Sequence, residues 1–249
     1  MLAGLRDILI ISTPRDLPMI SSLLGTGEQL GVRFSYVEQA KPDGIAKAFI
    51  LGADFIGDDS VCLILGDNIF YGEGLTKLLQ SSSTLNSGAQ VFAYQVMDPE
   101  RYGVVEFDEN YKALSIEEKP AKPRSNWAVT GLYFYDKTVV QKAKSLKPSA
   151  RGELEITDLN KVYLEQGILG VNAFGRGMAW LDMGTESALL DSSNFVATIE
   201  RRQGLKIACL EEIAYHMKFI NRSQLEALVS AMPKSAYAAY LERVLAMRL

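Results

Sequence analysis

The sequence has one histidine, His216, and two cysteines, Cys62 and Cys209, in 249 residues. A single His far along the chain gives no support to a Ser-His-Asp or Cys-His nucleophile device. One His and two distant Cys cannot build a common zinc site. Cys62 lies inside an apolar run, so the reading is two buried thiols in a reducing, cytoplasmic compartment. Basic excess is also missing. The formal charge is −4 and the pI about 5.2, which argues against nucleic acid as a partner. No apolar run approaches the roughly 20 residues that a membrane span needs, and no charged-then-apolar leader opens the chain, so no membrane partner is expected. There is no internal repeat and no low-complexity segment. Gly25 to Gly31 imitates a dinucleotide loop, but it follows a helical pattern rather than a strand and fails the context test.

What is present is ordinary globular material, 48% hydrophobic and 22% charged. Short apolar runs alternate with helical spacing. Strands are predicted at 7–12, 33–37, 61–65, 90–96, 103–107, 113–117 and 129–135, with helices at 17–24 and 44–55. The expected fold class is α/β, a mostly parallel central sheet flanked by helices. From Thr185 the texture becomes helical. Thr185 can cap a helix that Gly204 closes, Ser223-Gln-Leu-Glu226 reads as a capping box, and 235–249 as an amphipathic helix carrying Tyr240, Val244 and Met247 on one face. The division expected is a core at 1–184 and a helical segment at 185–249. Met1 to Arg6 reads as the last turn of a helix finishing at Gly4.

The segment LILGDNIFYG, 63–72, ends an apolar run on a bare carboxylate, Asp67. In open α/β sheets ligands sit beyond the carboxyl ends of strands. A carboxylate there suits Mg²⁺, which takes one or two carboxylates plus substrate phosphates. Gly-Asp-Asn is equally good turn chemistry. AWLDMGT, 179–185, repeats the pattern with Asp182, and two such residues can share one divalent ion. Lys119, after Glu118 in EEKP, and Arg151, ahead of a helix, are candidate phosphate cations or plain surface charges. Gln39 and Gly44, in QAKPDG, form either a base-reading loop or a simple turn.

LGDN at 65–68, YGVVEF at 102–107, EEKP at 117–120, TGLYFYD at 130–136, ARGELEITD at 150–158 and WLDMGT at 180–185 together resemble the sugar nucleotidyltransferase family, in its glucose-1-phosphate thymidylyltransferase branch. For the protein in its complete form, the resemblance implies synthesis of dTDP-glucose and pyrophosphate from dTTP and glucose 1-phosphate, with Mg²⁺, in dTDP-rhamnose formation. It implies that Asp67 and Asp182 hold the metal and that Lys119 and Arg151 hold the sugar phosphate. Gln39, Pro42 and Gly44 would serve the base, and Gly103, Glu118 and Val129 the sugar. Asn68, Tyr102 and Tyr133 complete the substrate-binding set. A homotetramer is implied, with a regulatory nucleotide site involving Tyr71, Gly72, Glu212, Ile213 and His216. His216 stands where relatives carry an Arg, so weak feedback control is expected. The family's opening GGxGTRLxPxT loop and following Lys, which cradle the triphosphate, have no counterpart here. The chain is therefore expected to be a homologue missing its first few dozen residues. The alternatives are a non-catalytic remnant that binds sugar nucleotide, a UTP-using transferase, or, less well matched, a glycosyltransferase.

Overall fold

A computed structural model describes residues 1–247. In chain order the elements are β1 (Asp7–Ser12), α1 (Leu17–Leu24), β2 (Arg33–Glu38), α2 (Lys47–Leu51), α3 (Ala53–Ile56), β3 (Val61–Ile64), β4 (Asn68–Gly72) and α4 (Leu75–Ser82). There follow β5 (Ala89–Gln95), β6 (Gly103–Phe107), β7 (Ala113–Glu118), β8 (Trp127–Tyr135), α5 (Val139–Ser145) and α6 (Ile156–Glu165). The chain continues with β9 (Leu169–Ala173), β10 (Met178–Asp182), α7 (Glu186–Gln203), α8 (Leu210–His216), α9 (Arg222–Ala231) and α10 (Ala236–Ala246). By contacts it divides into two compact units, 39–189 and 1–38 with 190–249, a different partition from the sequence division at 184/185.

In the 39–189 unit, a six-stranded sheet runs β7-β6-β8-β5-β9, with β3 also paired to β8. All of β8 beyond Trp127 is buried, which is why Val129 to Tyr135 reads as a continuous apolar run. The α/β class and the helix-flanked sheet are as expected, but the sheet is more mixed than "mostly parallel". Only β5–β9 is parallel in it; the other pairs are antiparallel. The short link between β6 and β7 enforces this locally, because a parallel pair needs a crossover of about a dozen residues or more. A separate antiparallel ribbon pairs β4 with β10. The apolar core gathers Phe49 from α2, Val91 and Ala93 from β5, Tyr133 and Tyr135 from β8, and Leu159 and Tyr163 from α6.

In the other unit, β1 and β2 pair in parallel, Asp7 opposite Arg33 through Ser12 opposite Glu38. A second core joins Leu30 and Val32 to Cys209, Ala214, Leu225, Tyr240, Leu241 and Val244. Several local expectations need correction. The helical pattern at 44–55 is interrupted at Gly52, giving α2 and α3. The capping box of α9 begins at Asn221, not Ser223. The Asn221 side chain accepts from Gln224 N–H (3.0 Å), and the Gln224 side chain accepts from Asn221 N–H (2.8 Å). Asn and Ser are equally good caps, and Ser223 Oγ donates to Asn221 Oδ1 instead (2.7 Å). Met1 to Gly4 form a turn, closed by Gly4 N–H on Met1 O (2.8 Å). Thr185 and Ser235 do cap α7 and α10. Tyr240 and Val244 are buried while Met247 is exposed. The end of the helix expected at 235–249 falls on 248–249, outside the described residues.

Both cysteines are free. Burial pushes the Cys62 thiol up to about 12 and raises Cys209 as well. Among the described residues no helix is long and apolar enough to cross a membrane.

Asp136, 5% exposed, ties the end of β8 to its surroundings. Its carboxylate accepts from Gly88 N–H (2.7 Å), Thr138 N–H (3.0 Å), the Thr138 hydroxyl and Tyr163 Oη (3.0 Å). Burial alone would raise its pKa, but these bonds outweigh it and hold the carboxyl below the usual range. Its stabilising contribution is thus complete above the ordinary carboxylate pKa and is lost as pH falls through the depressed value. Asp136→Ala is expected to cost about 2–3 kcal/mol, because buried donors lose their acceptor. Thermal unfolding at pH 7 and in acid checks this. The gap between variant and wild type should shrink as the pH falls.

Candidate functional site

The register of the β4–β10 ribbon builds the acidic end of the site. Asp182 lies opposite Asn68, and the Asp67 carbonyl accepts Met183 N–H at 2.9 Å. Two Asp residues more than a hundred positions apart are therefore laid side by side. Asp67 is exposed and Asp182 half-buried. Asp182 Oδ1 accepts Gly184 N–H (3.1 Å), and Asp67 Oδ1 accepts Asn68 Nδ2–H (2.7 Å). Among the described residues no cluster of three or more His, Cys, Asp or Glu could enclose a metal. The candidate donor set is thus two carboxylates, one exposed and one half-buried. That suits a hard divalent cation completed by a ligand's phosphates, and not a closed protein cage.

A second group lies along β6, β7 and β8. Gly103 pairs with Glu118 across β6–β7. A Cβ on Gly103 would stand 3.0 Å from Thr157 Oγ1, 3.5 Å from Glu118 Oε2 and 3.9 Å from Val129 Cβ. Thr157, in the first turn of α6, donates to Glu118 Oε2 at 2.6 Å. Tyr133 is buried on the same side of β8 as Val129, and burial, then the Glu118 charge, hold its phenol far above the usual range. Lys119 is exposed. Its N–H donates to Tyr102 O (3.0 Å), and its backbone takes φ +42°. The Tyr102 ring meets Trp180 of β10 edge-on at 5.2 Å, which links this group to the acidic end.

Arg151 is heavily engaged. It grips Glu155 through two oxygens (2.9 and 2.8 Å) and has Glu118 and Glu153 at 3.7 and 3.8 Å. Those carboxylates raise its pKa, the Glu155 hydrogen bond most. Any anion at Arg151 must compete with them.

The loop 39–44 is folded on itself. Gln39 Nε2 donates to Asp43 Oδ1 (3.0 Å) and Gly44 O (3.3 Å), and Pro42 is exposed. Gly44 approaches a backbone closely, but that of Leu154. Leu154 N–H donates to Asp43 O (2.8 Å), which fastens this loop to the Arg151 segment. Tyr71 and Gly72 lie at the end of β4, Gly72 opposite Met178. Glu212, Ile213 and His216 belong to α8 in the other unit. There His216 Nε2 stands 3.5 Å from Glu212 Oε1, which also accepts, at Oε2, the Tyr240 hydroxyl.

Sequence reasoning assigned no role to Thr157, Glu155 or Trp180. All three lie in the quoted motifs ARGELEITD and WLDMGT. Their signal was position: a Thr and a Glu at a helix start beside an Arg, and a Trp two residues before an Asp.

A family model described as "Nucleotidyl transferase" matches residues 1–199. The chain is 56% identical over 245 residues to a glucose-1-phosphate thymidylyltransferase of Neisseria meningitidis serogroup A, covering 98% of this chain and 85% of the relative. It is 54% identical to one of Mycobacterium tuberculosis, with the same 98% and 85% coverage. A solved Bacillus anthracis chain described as a glucose-1-phosphate thymidylyltransferase, in complex with sucrose, superimposes with TM-score 0.69 at 43% identity, over 76% of each chain. A UDP-glucose pyrophosphorylase complexed with UDP-glucose shares the fold, with TM-score 0.64 at 22% identity over 81% of this chain and 84% of that one. The chain belongs to the nucleotidyl transferase family, among its glucose-1-phosphate thymidylyltransferases.

Proposed function

We propose that the chain joins dTTP to glucose 1-phosphate, forming dTDP-glucose and pyrophosphate, with Mg²⁺ held by Asp67 and Asp182. One observation carries the reading at the site: the strand-end carboxylates and the Glu118–Thr157 hydrogen bond are joined by one line of contacts, from Asp67 through Asn68, Trp180 and Tyr102 to Lys119 N–H, next to Glu118. When bound, the ion supplies charge neutralisation on the phosphates. Glu118 accepts from sugar hydroxyls, and Gly103 and Val129 shape the space beside it. Lys119 and Arg151 neutralise the sugar phosphate, while Gln39, Pro42 and Gly44 present the base loop. A sugar-phosphate oxygen then bonds to the α-phosphorus as the bond to the departing pyrophosphate breaks. The protein's part is positioning and electrostatics, with no covalent intermediate. The cytoplasm, a homotetramer and control through Tyr71, Gly72, Glu212, Ile213 and His216 belong to the same reading.

The test is dTDP-glucose formation from dTTP and glucose 1-phosphate with Mg²⁺, run beside calorimetric binding of dTDP-glucose and UDP-glucose. Binding of dTDP-glucose that Glu118→Gln weakens supports the sugar pocket. A chain that neither forms nor binds dTDP-glucose refutes the reading.

Thr157→Val is expected to loosen dTDP-glucose binding about tenfold, because Glu118 loses the donor that orients it and a hydrogen bond to a charged group contributes about 1.5 kcal/mol or more. Calorimetry reads the affinity. An unchanged dissociation constant would mean that Thr157 only packs the helix start.

A further inference from the structure

Asn68 is the meeting point of β4, β8 and β10. Its Oδ1 accepts two hydrogen bonds, from Gly131 N–H at 2.9 Å and from Trp180 Nε1–H at 2.6 Å. Both partners are pure donors, so the amide orientation is decided by chemistry. The reversed amide would face two N–H groups with its own NH₂. With the oxygen so fixed, Nδ2–H must point the other way, where it donates to Asp67 Oδ1 at 2.7 Å. Gly131 is part of the device. A Cβ there would stand 2.6 Å from Asn68 Oδ1 and 2.8 Å from its Cγ, so only Gly lets the amide lie against β8. Trp180 is itself held, 8% exposed, with its ring edge-on to Tyr94 (5.8 Å) and Tyr102 (5.2 Å).

We propose that Trp180 and Asn68 are positioning residues that set the orientation of the Asp67 carboxylate toward a divalent cation, Trp180 acting through Asn68. One Asp67 oxygen is engaged by the amide, which restrains rotation of the carboxylate and presents the other oxygen. Groups behind a metal ligand are worth about 10–100-fold in metal affinity. Asn68 then acts on the cation side of the site, and its amide is committed to protein partners. The proposal rests on Asp67 being a metal ligand.

The experiment titrates Mn²⁺ into the full chain without nucleotide and reads the free aquo-ion by electron paramagnetic resonance. It compares wild type, Trp180→Phe, Gly131→Ala, Asp67→Ala and Asp182→Ala. In parallel, dTDP-glucose affinity is measured in a chelator. Trp180→Phe keeps an aromatic ring beside Tyr94 and Tyr102 but removes the indole N–H together with the five-membered ring, so it tests the relay without a new Cβ if Gly131→Ala unfolds. The expected result is a Mn²⁺ dissociation constant raised about tenfold in Trp180→Phe, lost binding in both Asp variants, and dTDP-glucose affinity in the chelator changed less than about twofold in Trp180→Phe. Wild-type Mn²⁺ affinity in Trp180→Phe, with binding lost in Asp67→Ala, would overturn the relay and leave the metal reading standing. Equal Mn²⁺ binding in wild type and Asp67→Ala, or none in either, would overturn both. A loss of dTDP-glucose affinity with Mn²⁺ binding unchanged would place Asn68 and Trp180 on the sugar instead.

Discussion

Asp67→Asn and Asp182→Asn are each expected to lower dTDP-glucose formation by at least about 10²–10³-fold, the usual cost of removing one preorganised electrostatic contact to a transition state. The substitutions conserve shape and remove charge. Asn at 67 can still accept from Asn68, and Asn at 182 can still accept Gly184 N–H, so the local hydrogen bonds survive. Asp67 is exposed and Asp182 half-buried, so stability should move by no more than about 0.5 kcal/mol. The pairing of Asp182 with Asn68 places two like charges at neighbouring strand ends. Pyrophosphate release at saturating Mg²⁺ is the measurement. A variant that keeps more than a tenth of the wild-type rate, equivalent to about 1.4 kcal/mol, would show that its carboxylate is not an essential ligand.

Much of this site was legible as residue types and much of it was not legible as geometry. An apolar run ending on a carboxylate is a local signal, and it pointed to Asp67 and Asp182 separately. What brings them together is the register of β4 on β10, and β4 has five residues without the alternation that announces a half-buried strand. Strand direction was invisible for a related reason. Buried strands look alike whether neighbours run with them or against them, and only connection length discriminates, as between β6 and β7. Helix ends were read to within a few residues where one polar group could cap, as at Ser235. They slipped where Asn221 and Ser223 competed, because both side chains fit the role and the backbone decides. Arg151 shows the limit most clearly. It read as a free phosphate cation or a plain surface charge, with no role given to its neighbour Glu155, yet Glu155 is 8% exposed and holds the guanidinium through two oxygens.

Gly44→Ala is expected to be the most destabilising of the substitutions considered, at about 3–5 kcal/mol. The residue adopts φ +105°, outside what a side chain tolerates easily, and a Cβ would stand 2.3 Å from Leu154 O and 2.4 Å from Leu154 N. Both atoms are backbone, so no rotamer change relieves the contact. Relief requires parting the two segments, which breaks Leu154 N–H on Asp43 O (2.8 Å) and Ala46 N–H on Leu154 O (3.1 Å). Strain contributes about 1–3 kcal/mol, and each backbone group left unmet about 1–3 kcal/mol. For a chain of this size the fall in Tm should be about 10 °C. Because the loop 39–44 would leave the Arg151 segment, dTDP-glucose binding should weaken in whatever fraction stays folded. Gly152→Ala is the control that separates the two causes. Gly152 also has a positive φ, +79°, and lies in the same segment, but a Cβ there meets nothing within 4 Å. It should therefore show the strain alone, at about 1 kcal/mol. Equal Tm losses for Gly44→Ala and Gly152→Ala would mean that dihedral strain, and not the close approach of Leu154, is what makes glycine necessary at position 44.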